Sequence, residues 1–113
     1  MTAPPDEREE QRMNAWIGTW DVEQSSIVGT FVMDMTVTER AGSLEVAFAS
    51  PQVVATVSGV ECDGERLRMT THLTKPLKGT AEVELTLSGP DSFGGTGKIK
   101  FLPASKFTGV RRA

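Results

Sequence analysis

Acid–base or nucleophilic chemistry in this chain would have to start from His72 or Cys62, its one histidine and one cysteine. A histidine works as a general base when a carboxylate orients it and a nucleophile lies within hydrogen-bond reach. In the stretch "RLRMTTHL" at 66–73, Leu67, Met69, Thr71 and Leu73 alternate with Arg66, Arg68, Thr70 and His72. That alternation puts His72 on the polar, outward face of a strand, and nothing in the sequence supplies it with an orienting carboxylate. One cysteine cannot form an internal disulfide, and with one histidine it cannot supply the usual zinc ligand sets, so Cys62 reads as a small strand residue. Glu61 and Asp63 flank a "DG" turn and read as solvated. The "GGTGK" at 94–98 lacks the spacing and the Ser or Thr of a phosphate loop and reads as strand glycines. No Ser–His–Asp set, metal cluster or dinucleotide fingerprint can be assembled, and no cofactor is expected.

The elements that would hold any site are legible in the patterning. A chain of 113 residues is one domain by length, with one modest core. Its hydrophobic fraction of 38% and charged fraction of 24% are those of a soluble domain. No apolar run approaches the ~20 residues needed to cross a bilayer, so no membrane partner is expected. The opening "MTAPPDEREEQR" is acidic and has no apolar stretch, which makes a cytoplasmic location the expectation. Asp6 as N-cap, Glu9 three residues on, and Met13, Trp16 and Ile17 on one face predict a short amphipathic helix in an N-terminal extension over 1–16.

From residue 17 to 113 the period changes to two, with β-branched residues throughout and turn signals about every twelve residues. Eight strands are predicted near 17–26, 29–39, 43–50, 52–62, 65–74, 79–88, 92–102 and 105–112. The short breaks between them leave antiparallel neighbours only, so the topology is a meander. Each strand has one dry face, and closing the meander into a barrel removes both exposed edges.

Charge supports closure. The net charge of −3 disfavours nucleic acid as a partner, but it is unevenly distributed. Residues 1–63 hold eleven acids and three arginines, whereas 64–113 hold nine bases and four acids. Outward Glu82 and Glu84 would face outward Lys98 and Lys100 across neighbouring strands. Asp21 and Glu23 on the first strand would likewise meet Lys106 and Arg112 on the last, as the seam of a barrel.

Two separated motifs now take on weight. "IGTWDV" opens the first strand and "KFTGVRR" forms the last. With the alternating strands and the central "DG" hairpin between them, they resemble the calycin superfamily, in particular small lipocalin-like domains of bacteria that begin Gly-x-Trp and end Phe-x-Gly-x-Arg. The resemblance implies that Gly18 and Trp20 form the first motif and Phe107, Gly109 and Arg111 the second. It implies further that Trp20 lies across one end of the barrel with Arg111 packed over its indole. Phe107, Gly109 and Arg111 share the inward parity, and Gly109 would let its strand approach the Trp20 ring. Trp16, on this reading, does a separate job, anchoring the N-terminal helix.

An eight-stranded barrel is just wide enough to be filled by side chains or to hold one small ligand. Inward Phe31, Met33, Met35, Phe48, Met69, Leu85, Phe93 and Phe101, with Thr71, are the expected ligand-lining set. Small inward Ala55, Ala81, Gly95 and Gly97 offset their bulk. The function expected is the binding of a small hydrophobic molecule, with Arg111, His72 or a mouth threonine at its polar end. Two readings stand beside it. One is a cyclase or isomerase of a bacterial biosynthetic pathway that works by orienting an apolar substrate. The other is a structural or interaction domain with a solid core. A second copy of the chain is an admissible partner.

Overall fold

The computed structural model describes residues 15–27, 29–75, 78–100 and 102–112. Eight strands follow in order: β1 (Gly18–Ser26), β2 (Gly29–Arg40), β3 (Ser43–Ala49), β4 (Val54–Asp63), β5 (Arg66–Lys75), β6 (Gly79–Gly89), β7 (Ser92–Ile99) and β8 (Ser105–Arg111). They fall within a few residues of the sequence reading. The largest departure is β7, which stops at Ile99, where the chain turns and the Leu102 amide donates to the Ile99 carbonyl at 3.0 Å. Most of the helix expected over 1–16 lies outside the described residues; Ala15 and Trp16 form a turn.

All ladders are antiparallel and the sheet order is β3-β2-β1-β8-β7-β6-β5-β4. The first and last strands pair from Trp20 opposite Arg111 to Ser25 opposite Lys106. Arg112, one residue beyond β8, bonds both Asp21 of β1 and Asp34 of β2, so a single guanidinium ties three strands together. Those two carboxylates, Asp21 foremost, hold its pKa above the usual arginine value. Half of the expected seam is therefore present, with Arg112 as its bridging base; Glu23 and Lys106 make no ion pair among the described residues, since Glu23 stands opposite Thr108 and Lys106 opposite Ser25.

Two expectations are corrected. Closure is nearly complete, but β3 and β4 lie side by side without a hydrogen-bonded ladder. The reason is local. Pro51 in their connection has no N–H to donate, and β4 is irregular at Val54/Ala55 and again between Ser58 and Glu61, where Gly59 takes φ 59°. The outward charges also pair differently. Glu82 is in register with Lys98, but Glu84 turns to β5 and meets Arg66 at 3.5 Å and Arg68 at 3.3 Å, while Lys100 sits in the turn after β7.

The inward faces make one core. Val22 of β1, Met33, Met35 and Val37 of β2, Leu67 and Met69 of β5, and Val83 and Leu85 of β6 are all buried. Alternation puts the apolar half of each strand inside, and burying each such side chain contributes about 1.5–3 kcal/mol before the entropy of ordering it.

Candidate functional site

The two ends of the barrel are built differently, and the difference begins with three aromatic residues. Trp16, Trp20 and Phe93 are all buried, and their rings meet at centroid distances of 5.9, 5.6 and 5.2 Å. The Trp20 indole N–H donates to the Trp16 carbonyl at 2.9 Å. The two tryptophans thus belong to a single cluster, contrary to the separate jobs read from the sequence, because the turn at 15–17 folds Trp16 back onto the barrel end.

Arg111 closes this end. Its guanidinium carbon lies 4.2 Å from the centre of the Trp20 ring. Its N–H groups donate to the carbonyls of Ile17 at 2.7 Å, Pro90 at 3.3 Å and Ala15, and to Asp91 Oδ1 at 3.1 Å. One side chain therefore ties β8 to the turn before β1 and to the β6–β7 turn. Gly18, at φ 135°, is required twice over, since a Cβ there would also stand 2.9 Å from Arg111 Nη1. Gly109 does permit a ring to approach, but the ring is Phe93: a Cβ would lie 2.1 Å from its Cε2.

The other end holds a cavity. Met33, Phe48, Val53, Ala55, Thr71, Leu73, Ala81, Ile99 and Phe107 line it with Gln24, Gly97 and Ser105. Its unfilled space is ≈ 410 Å³ counted to the mouth. A second hollow of ≈ 460 Å³ shares Gln24, Leu73, Gly97, Ile99 and Ser105 with it and opens outward past Phe31, Ile27, Leu102 and Pro103. The inner cavity is narrow, since only ≈ 30 Å³ of it is wide enough for the centre of a water molecule. That is room for very few waters, each needing about 10–15 Å³ on this measure.

None of the side chains lining the inner cavity ionises, and its polarity is a short rail at the mouth. Gln24 Nε2 donates to Ser105 Oγ at 3.2 Å, and Ser105 Oγ donates to the Gly97 carbonyl at 3.2 Å. Thr71 Oγ1 donates to the Ala81 carbonyl at 3.4 Å. This arrangement can hold an apolar body and offer one polar end an amide and a hydroxyl. Among the described residues no cluster of three or more His, Cys, Asp or Glu is placed to hold a metal ion.

The sequence-derived residues divide between the two ends. Met33, Phe48 and Thr71 line the inner cavity and Phe31 the outer one. Met35, Met69 and Leu85 are buried in the packed half and line neither, and Phe93 belongs to the aromatic cluster. Phe101 lies outside the described residues. Phe107, expected as part of barrel closure, lines the cavity and occupies the space above Gly97, whose Cβ would lie 2.7 Å from its Cε2. Arg111 is at the far end from the cavity. His72 is exposed on the outer wall, Nε2 3.0 Å from Ser58 Oγ and Nδ1 3.4 Å from Thr80 Oγ1. Gln24 and Ser105 were not singled out in the sequence, although alternation from Trp20 and from Phe107 places both inward.

No family model and no curated protein matches the chain. Solved structures do. A redesigned β-barrel superposes with a TM-score of 0.72 at 20% identity, over 90% of this chain and 96% of that one. A de novo designed fluorescence-activating β-barrel gives 0.70 at 18%, over 88% and 96%. Another redesigned barrel, bound to DFHBI, gives 0.63 at 18%, over 89% and 98%. At these identities the likeness is one of fold alone: an eight-stranded antiparallel barrel, nearly closed.

Proposed function

We propose that this chain is a small lipocalin-like member of the calycins, and that it binds a small hydrophobic molecule in the open half of its barrel. The observation that carries the reading is the contrast between the halves. Bulky aromatics and Arg111 fill one end, while Met33, Phe48, Leu73, Ile99 and Phe107 surround unfilled space at the other, with Gln24 and Ser105 as a polar rail. Support comes also from solved barrels of the same fold that are bound to DFHBI.

Pockets that bury a drug-sized ligand measure about 300–1,000 Å³. Only ≈ 30 Å³ of the inner cavity takes the centre of a water molecule, far short of that range, so a ligand enters only where the lining yields to it. Met33 is suited to yielding, because an unbranched thioether repacks at low cost. The polar end of the ligand faces Gln24, whose second N–H and Oε1 have no partner among the described residues.

Methionine-methyl NMR tests this directly. On titration with DFHBI as probe, the Met33 methyl is expected to shift saturably, while Met35 and Met69 in the packed half shift much less. A Met33 signal that does not move, or that moves no more than Met35, rules the cavity out as the binding site.

A further inference from the structure

The turns at the two ends of the barrel differ in charge as well as in packing. Because successive strands reverse direction, the C-terminal ends of β1, β3, β5 and β7 meet at the open mouth. The described residues there, 25–27, 29–30, 49–54, 74–75, 78–80, 99–100 and 102–106, contain no Asp or Glu and four of the chain's five lysines: Lys75, Lys78, Lys100 and Lys106. The fifth, Lys98, is one residue inside on β7. The turns at the opposite end, 39–45, 61–67 and 89–92, carry six acids: Glu39, Glu45, Glu61, Asp63, Glu65 and Asp91.

Pairing follows the same division. Arg40, Arg66, Arg68, Arg111 and Arg112 each lie within 4.0 Å of a carboxylate. Lys75, Lys78 and Lys106 are exposed and make no ion pair among the described residues. Apolar side chains stand among them: Ile27 at the β1–β2 turn is 63% exposed and Val54 at the start of β4 is 48% exposed. Leu102 and Pro103 complete the lip of the outer hollow with Ile27.

We infer that the open end docks on an anionic lipid bilayer. Ile27, Val54 and the Leu102–Pro103 lip enter the headgroup and acyl boundary, and the lysines neutralise headgroup charge around them. The apolar residues sit on separate turns ringing a mouth, so a fluid surface can admit each one independently, whereas a folded partner needs a continuous complementary patch. Lysine suits the task, since its flexible stem lies on apolar surface while the ammonium stays in water. The acidic turns at the far end are repelled by the same surface, which fixes the barrel mouth-down. The absence of a long apolar run bears on spanning a bilayer and not on resting against one.

Co-sedimentation of the full chain with vesicles tests the proposal, using phosphatidylcholine alone and phosphatidylcholine with about a third phosphatidylserine. Binding is expected on the anionic vesicles only, and is expected to vanish near 1 M salt, where the screening length is about 3 Å. Each lysine contributes about a factor of five beside an anionic surface, so the Lys75→Gln, Lys78→Gln, Lys106→Gln triple variant is expected to bind about a hundredfold more weakly. Ile27→Ser weakens binding while leaving its salt dependence unchanged. Arg66→Gln, at the acidic end, leaves binding intact; circular dichroism melts confirm that each variant is folded. Equal binding to both vesicle types, no binding to either, or full retention by the triple variant would overturn the inference. The vesicles present no cavity probe, so failure here leaves the proposed cavity binding standing, and a failed Met33 titration leaves the docking surface standing.

Discussion

Arg111 makes more contacts than an ordinary barrel-end charge, and its removal should show it. Arg111→Ala loses the indole stack and the bonds to the Ile17 and Ala15 carbonyls, for an expected cost of about 3 kcal/mol in a urea melt. Arg111→Lys should recover only part of this, because an ammonium lacks the planar fork that reaches several carbonyls at once. Gly109→Ala forces a Cβ into the Phe93 ring, an overpacking cost of about 1–3 kcal/mol. Phe93→Leu in the same chain should relieve most of it, and a double-mutant cycle would read the coupling. At this scale parity was informative: the inward positions of Phe31, Met33, Phe48 and Phe107 follow from alternation. What alternation cannot report is depth. Met33 and Met35 share a face, but one touches the cavity and the other the packed half.

Among the elements, the eight strands were legible because turn residues and period-two patterning agree along nearly the whole chain. The gap between β3 and β4 was not, since it depends on how the irregularities in β4 and the Pro51 connection sum in space. Without a shared ladder, these two strands have fewer backbone partners than β1 and β8, which are paired on both sides. Amide hydrogen exchange is therefore expected to be faster in β3 and β4 than in β1 and β8. Uniform protection around the barrel would mean that the gap is closed in solution.

Over the whole molecule, filling and emptiness are segregated along the barrel axis. Both tryptophans are fully buried at the closed end, so their emission should be blue-shifted and insensitive to soluble quenchers. It should also stay constant while a probe titrates Met33 at the other end. Ala81→Leu places extra carbons in the cavity and is expected to abolish probe binding in a variant that still folds. Loss of probe binding with a simultaneous change in tryptophan emission would mean instead that the two ends are coupled.

Strand number, inward faces, the Gly-x-Trp and Phe-x-Gly-x-Arg ends and the uneven charge are properties of order along the chain, and the amino-acid sequence determines them through steric period and turn chemistry. Whether the interior is filled is a different kind of quantity. It depends on which ring falls over which glycine, as Phe93 does over Gly109 and Phe107 over Gly97, and those meetings join residues on different strands. The tertiary structure alone decided that one half of the barrel is packed solid and the other left open, because volume is shared across the barrel and belongs to no single strand.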